Sequence, residues 1–378
     1  MREIRILLTG GGTGGHLYPL VAVTQALYRV TAETNRSFRF WYMGPRHPLN
    51  QHLETMGIKM RYVVSSKLRR YFSLANFIDF PKFIFSIIQA IFKLYWIMPD
   101  VIFSKGGPGS LAVVLAGRFY RIPVIIHESD AVPGMTNQIS GKFAERIGIA
   151  FQNAASFFKK QDRIALVGNP VRQELLSGLF EKHVAKEYLG FNAKEKLILV
   201  LGGSQGSARI NEFILENLEE LVSESQILHQ VGPNNLESFK KESDLALGQI
   251  GRTAKARYRA VDYLESNLKH AMSAADLIVS RAGSGAIFEI AAFGKPSILI
   301  PLSDAANDHQ KINAYEYAGN GAAIVIEESN LLGNIFVTQL RNILNSPERM
   351  ETMSQAAKSF SKPEAAELLA REIIKIIE

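Results

Sequence analysis

Two stretches of this chain open in the same way, and together they settle most of what it can fold into. Residues 3–9 (EIRILLT) form a short apolar run that breaks into Gly10-Gly11-Gly12-Thr13-Gly14-Gly15-His16, followed by a helical pattern over 20–28. Residues 196–201 (KLILVL) likewise run into Gly202-Gly203-Ser204-Gln205-Gly206-Ser207, with a helical pattern over 211–221. Strand, glycine loop, helix is the opening unit of a doubly wound α/β domain. Further short apolar runs alternate with helical patterns at 38–43, 100–103, 124–127 and 164–167, then at 226–230, 277–280, 297–300 and 323–326. Such alternation predicts parallel sheets covered on both faces. A chain of 378 residues has room for two such domains at about 150 residues each. The turn-forming triplet Gly168-Asn169-Pro170 marks the expected boundary, since all three residue types favour turns. The reading is therefore an N-terminal Rossmann-like domain over 1–168 and a C-terminal one over 169–349, facing each other across a cleft. The helical stretch 350–378 is expected to pack back on the first.

Composition removes several chemistries. There is no cysteine, so disulfides, thiolate zinc sites, iron–sulfur clusters and a cysteine nucleophile are excluded. The first apolar run is too short for a signal peptide. The longest charge-free apolar run, residues 83–92, falls short of the ~20 residues that span a bilayer. The net charge is +7, and nearly all of it sits between residues 59 and 95. There Lys59, Arg61, Lys67, Arg69, Arg70, Lys82 and Lys93 face one acid, Asp79. Nine of the chain's aromatics fall between residues 71 and 96. A nucleic-acid groove spreads its bases among polar residues over several elements, whereas this is one strip of bases and large apolar groups. The expected partner is an anionic membrane surface, not a nucleic acid, with Lys67, Arg69, Arg70, Phe72, Phe77 and Phe80 as interfacial anchors. Residues 82–96 carry one narrow polar stripe, Lys82, Ser86, Gln89 and Lys93, on an otherwise apolar helix. So wide an apolar face is expected to cover the first domain's sheet.

The first glycine loop satisfies G-x-G-x-x-G, but the next strand ends at Met43-Gly44-Pro45-Arg46 without the carboxylate a dinucleotide's ribose needs. A Walker loop is absent, as is Asp-x-Asp. The second half holds a better nucleotide site. After the run 277–280 comes Arg281-Ala282-Gly283-Ser284-Gly285 and then a helix stopped by Gly294 and Pro296. Backbone N–H groups at that helix start are placed to bind a diphosphate, and Glu289, one turn in, can accept two bonds from a ribose diol. Two plainer readings stand beside this one. Ser284 can be a helix cap with Glu289 favouring the positive helix end. Asn307-x-x-Gln310 can be a variant capping box.

At GGTGGH, HES(D), GNPVR, GGSQGS and SRAG(x)4E, in one order and in both halves, the chain resembles a bacterial family. This is the UDP-N-acetylglucosamine–N-acetylmuramyl-(pentapeptide) pyrophosphoryl-undecaprenol N-acetylglucosamine transferases, membrane-surface enzymes that complete lipid II for peptidoglycan. The resemblance implies the two-domain GT-B fold, an acceptor and membrane role for the N-terminal domain, a UDP-sugar role for the C-terminal one, and no cofactor or metal. It also implies peripheral attachment to the cytoplasmic side of the cell membrane and a part in cell-wall biogenesis, cell shape and division. By the same resemblance Thr13, Gly14 and Gly15 line the donor and acceptor cleft, Asp130 and Arg172 contact the sugar nucleotide, and Ser204 meets the nucleotide. Ser284, Gly285, Ala286, Ile287, Phe288 and Glu289 form the diphosphate and ribose segment, with Glu289 on the diol. Gln310 reads sugar hydroxyls, and the Leu264 backbone meets the uracil. The chain departs from the family pattern in three places. Asp130 stands where the family has Asn, the 106–112 loop reads GGPGSLA in place of GGYxSGP, and 302–309 is one residue longer.

The implied reaction moves N-acetylglucosamine from UDP to the 4-hydroxyl of a polyprenyl-diphosphate-linked muramyl pentapeptide, inverting the anomeric centre. His16 is the candidate base, with orientation of the loop or contact with pyrophosphate as its other reading. Asp130 is the second candidate, while His127 and His309 read as structural. Two alternatives share the donor site: a GT-B enzyme with another lipid acceptor, and a UDP-sugar epimerase of similar fold. A third, a non-enzymatic basic protein that binds nucleic acid or membrane, would need no paired glycine loops or ribose carboxylate.

Overall fold

The computed structural model describes residues 3–11, 14–34, 36–65 and 75–377, with the backbone alone at 75–78 and Ala306. Thr13, Lys67, Arg69, Arg70, Phe72 and the Phe77 side chain lie outside the described residues. The chain divides into two compact units, residues 1–173 with 362–378, and residues 174–361.

Unit 1 is built on a parallel sheet of seven strands: β1 (Ile4–Thr9), β2 (Phe38–Gly44), β3 (Lys59–Tyr62), β4 (Val101–Ser104), β5 (Val124–Glu128), β6 (Arg146–Ile149) and β7 (Ile164–Leu166), in the order β3-β2-β1-β4-β5-β6-β7. β4 and β5 are buried along their whole length, as apolar runs covered on both faces must be. The covering helices are α1 (Gly14–Ala32), α2 (Asn50–Thr55), α3 (Ala75–Ile97), α4 (Ser110–Phe119) and α5 (Met135–Ser140). The sequence shows β1, β2, β4, β5 and β7 but not β3 or β6. β3 is an edge strand that alternates exposed and half-buried residues, and β6 opens on an exposed arginine, so neither reads as an apolar run. α1 begins six residues before the pattern that announces it, because it runs through Pro19, whose missing N–H leaves the Gly15 carbonyl without its helical donor.

Unit 2 is entered through α6 (Gln173–Leu176) and α7 (Lys182–Tyr188). Its sheet comprises β8 (Leu197–Leu201), β9 (Gln226–Gln230), β10 (Tyr258–Val261), β11 (Leu277–Ser280), β12 (Ser297–Leu299) and β13 (Ala323–Val325), in the order β10-β9-β8-β11-β12-β13, all parallel. Around it lie α8 (Ala208–Glu216), α9 (Leu218–Glu224), α10 (Leu236–Ile250), α11 (Arg252–Arg257), α12 (Leu268–Ala274), α13 (Ser284–Ala292), α14 (His309–Gly319), α15 (Gly333–Leu344) and α16 (Pro347–Phe360). The stretch expected as one returning helix is two. α16 stays in unit 2, where Phe360 packs on Phe288 and Tyr317. After a break at Lys362-Pro363, α17 (Ala365–Ile377) belongs to unit 1 and buries Leu369, Ala370, Ile373 and Ile374 in the core that holds α1.

α3 overturns the expectation that its apolar face covers the sheet. Its polar stripe is what faces inward. Ser86 is fully buried and donates to the Val64 carbonyl, Gln89 accepts the Val64 N–H, and Lys93 donates to the Tyr62 carbonyl. Among the described side chains Ala90, Leu94 and Ile97 join the core, with Ile91 half-buried against it, while Phe80 (62% exposed), Phe85, Ile88, Phe92, Tyr95 and Trp96 (81%) face out. The reason is local: the unpaired backbone groups just past edge strand β3 need partners, and polar side chains supply them. By length and composition the segment Asp79–Ile97 is also apolar enough to cross a membrane, although its stripe is bonded to this unit.

Candidate functional site

In open parallel sheets, ligands sit beyond the carboxyl ends of the strands where the strand order reverses. That point falls between β1 and β4 in unit 1 and between β8 and β11 in unit 2. Both glycine loops lie there.

In unit 1 the loop after β1 is held by the Tyr42 hydroxyl, which donates to the Gly10 carbonyl at 2.6 Å. The loop after β4 lies flat against it. A Cβ on Gly107 (φ +87°) would fall 2.3 Å from the Gly11 carbonyl oxygen and 3.2 Å from His16 Nε2, so only glycine allows the approach. His16 is half-buried in the first turn of α1, Gly14 half-buried and Gly15 exposed. The turn after β5 is organised by Glu128. Its Oε1 accepts the Asp130 N–H at 3.0 Å, and its Oε2 accepts from the Gly134 N–H at 3.2 Å and the Asn137 amide at 2.9 Å. Burial, reinforced by Asp130, pushes the Glu128 carboxyl up to about 7. His127 is fully buried and bonds the Gly168 carbonyl through Nε2 at 2.8 Å; burial drives its pKa well below the usual value. It is a neutral structural histidine. The Arg172 guanidinium stacks 4.3 Å over the Tyr18 ring. A cavity of about 340 Å³ lined by Arg118, Arg121 and Arg146 lies at the opposite edge of this sheet, under the starts of β5 and β6, and contains none of the motif residues.

Unit 2 brings four segments together. Arg281, directly after β11, bonds Ser207 Oγ at 2.6 Å, the Ile300 carbonyl at 3.2 Å and Glu328 at 2.6 Å, fastening the loops after β8 and β12 to its own. Glu328, although burial raises it, is held below the usual carboxylate range by hydrogen bonds from Ser303 and Arg281. Gln230 donates to the Gly203 carbonyl at 2.9 Å and accepts the Leu264 N–H at 3.1 Å, joining residue 264 to the second glycine loop. Asn313, fully buried on α14, donates to the Ala282 carbonyl. Ser204 is exposed at the loop tip.

The start of α13 is not capped. Gly283, which has no side chain to cap with, occupies the cap position, and among the described residues the buried Ser284 hydroxyl has no hydrogen-bond partner. The capping reading of Ser284 therefore gives way to a helix start with free donors, the arrangement that binds anions. Gly285, Ala286 and Glu289 are half-buried. Ile287 and Phe288 are turned into the core and can meet a ligand only through their backbone. The capping box at 307–310 does not form either. Asn307 and Asp308 both take left-handed backbone (φ +55° and +53°), the α14 cap makes no side-chain bond, and Gln310 Oε1 accepts the Leu302 N–H at 3.1 Å. Two adjacent non-glycine residues in that conformation mark strain of the kind functional loops carry. The sequence does not single out Gln230, Asn313 or Glu328, and Arg281 stands in it only as one residue of SRAG(x)4E.

Comparison with known proteins adds the following. Residues 6–149 match the glycosyltransferase family 28 N-terminal domain, and residues 197–369 its C-terminal domain. A protein of Legionella pneumophila (strain Lens) is 34% identical over 369 residues, 97% of this chain and 96% of its own length. One of Clostridium tetani is 35% identical over 347 residues, 91% of each chain. Both are named UDP-N-acetylglucosamine–N-acetylmuramyl-(pentapeptide) pyrophosphoryl-undecaprenol N-acetylglucosamine transferase. The crystal structure of Acinetobacter baumannii MurG superposes with a TM-score of 0.74 at 25% identity, covering 98% of this chain and 99% of that one.

Proposed function

The chain belongs to the MurG-type N-acetylglucosamine transferases of glycosyltransferase family 28, and from that premise we propose what its two crevices do. It moves N-acetylglucosamine from UDP-N-acetylglucosamine to the lipid-linked muramyl pentapeptide, forming lipid II. The observation that carries the donor assignment is the uncapped α13 start with its unbonded buried Ser284 hydroxyl. The diphosphate takes the free N–H groups of residues 284–286, Glu289 takes the ribose diol, Gln310 the sugar, and Ser204 and the Leu264 backbone the nucleotide. Leaving-group charge is absorbed there by the fixed dipoles of the helix start.

Unit 1 takes the acceptor. Its β1–β4 crevice presents Gly14 and Gly15, with His16 as the group that takes the 4-hydroxyl proton in a single inverting displacement; Asp130 is the second candidate. The outward apolar face of α3, with the basic strip Lys67, Arg69 and Arg70 preceding it, holds the enzyme on the anionic cytoplasmic membrane face where the polyprenyl chain lies. Incubation with labelled UDP-N-acetylglucosamine and a panel of lipid acceptors tests this reading. Label enters the polyprenyl-diphosphate muramyl pentapeptide; label that enters only another lipid, or returns as the 2-epimer of the donor sugar, overturns it.

A further inference from the structure

Beneath the unit 1 crevice lies a pair of opposite buried charges that the transfer steps above do not use. Lys105 follows β4 directly, is 1% exposed, and its Nζ has no hydrogen-bond partner among the described residues. Its backbone N–H is tied to the Thr9 carbonyl at 2.8 Å, which fixes it at the junction of both strands that flank the crevice. A buried ammonium persists only where opposite charge lies close. The charged groups acting on it are Glu128 from β5 and Asp130 from the following turn, and it acts in turn on His127; Gly106 beside it packs against the uncharged Asn137 from α5, and Gly107 against His16 from α1. His127 is neutral, so Glu128 and Asp130 carry the compensation. The two segments are interlocked: a Cβ on Gly106 would fall 2.8 Å from the Asn137 amide, and that amide is itself bonded to Glu128.

We propose that Lys105 is a positioning residue for the acceptor side of the reaction: its ammonium keeps Glu128 ionised, and the ionised carboxylate holds the 128–134 turn that presents Asp130 to the crevice. The inference rests on the reading of unit 1 as the acceptor site. Lys105 is too deep to touch substrate and acts through Glu128. Bonds from N–H donors to a carboxylate are roughly twice as strong as to a neutral carboxyl, and Glu128 accepts three of them. Protonating it weakens all three and loosens the turn. Burial lowers Lys105 to about 8, while burial and Asp130 raise Glu128 to about 7. The doubly charged pair is thus confined to a narrow window around neutral pH, lost below it as Glu128 protonates and above it as Lys105 deprotonates.

The test is the pH profile of acceptor kcat/KM at saturating donor for the wild type, Lys105→Met and Glu128→Gln. Removing the cation raises the Glu128 pKa, so in Lys105→Met the acid limb moves up by about one pH unit while kcat/KM at alkaline pH, where Glu128 is ionised with or without the cation, is nearly unchanged, making the deficit about tenfold larger at acid than at alkaline pH. Glu128→Gln loses the acid limb, and donor KM is unchanged in both variants. A loss equal at every pH, or no loss, overturns the proposal. Lysine labelled with ¹³C at Cε supplies a readout independent of turnover. The resonance missing from Lys105→Met titrates near 8 in the wild type and moves lower in Glu128→Gln; titration at the ordinary lysine value, or no movement, overturns the pairing. Should Lys105→Met fail to fold, the Glu128→Gln arm decides by whether any depressed lysine resonance shifts. If the wild type transfers no sugar while the lysine titration behaves as stated, the acceptor reading has failed and the charge pair stands.

Discussion

Glu289 and His16 divide the proposed chemistry between binding and turnover, and substitution separates the two. Glu289→Ala removes a charged acceptor from two ribose hydroxyls, a loss of ~3 kcal/mol, so the KM for UDP-N-acetylglucosamine rises by about 100-fold; an unchanged donor KM in a folded variant refutes the ribose assignment. His16→Ala lowers kcat by about 100-fold or more, the usual worth of a positioned base, with donor binding intact. A collapse of donor affinity with kcat preserved makes His16 a phosphate ligand instead. Arg281→Ala is expected to do both kinds of damage. Its side chain is 11% exposed and its partner Glu328 15% exposed, and breaking so enclosed a pair costs about 3 kcal/mol. Thermal unfolding then shows a lowered Tm and titration a weakened donor; a variant equal to the wild type in both contradicts the clamp. Ser284 and Glu289 were legible because glycine, a helix start and a carboxylate one turn on form a local pattern. Gln230, Asn313 and Glu328 were not, because each acts on a loop far away in sequence. Gln310 was legible as a polar residue at a helix start, yet its partner, the Leu302 N–H, follows from the two left-handed residues before it, which no local rule announces.

Elements were legible where burial makes them uniform. Central strands such as β8 and β11, apolar throughout, stand out of the sequence, whereas the edge strands β3 and β10 alternate and carry arginine. α3 shows the limit of periodicity. The stripe Lys82, Ser86, Gln89 and Lys93 could be counted, but which side faces the protein depends on the backbone groups of residues 62–64, which take three of those side chains. The outward apolar face makes a prediction at this scale. The wild type floats with anionic vesicles and is released as salt rises, because each base near anionic lipid is worth about 1 kcal/mol. Changing Lys67, Arg69 and Arg70 to Glu abolishes flotation, and Phe92→Ser with Trp96→Ser weakens it at every salt concentration. Flotation equal to wild type in both variants places the membrane contact elsewhere.

For the whole molecule, the repeated strand–glycine loop–helix opening was enough to indicate two doubly wound units, and both loops lie at the reversals of strand order. The C-terminal return was less legible. The sequence shows helix from 350 on, but the break at Lys362-Pro363 and the separate allegiance of α16 and α17 are set by packing, Phe360 onto Phe288 and Ile373 into the α1 core. The proposed reaction is a direct, inverting transfer whose leaving diphosphate is stabilised by the α13 start without a metal ion. The most direct measurement is transfer from UDP-N-acetylglucosamine to the polyprenyl-diphosphate muramyl pentapeptide in excess EDTA, with the new anomeric linkage read by NMR. Undiminished transfer and a β-linked product are expected; an α-linked product, or transfer abolished by EDTA and restored by a divalent cation, would contradict a direct, metal-free inversion.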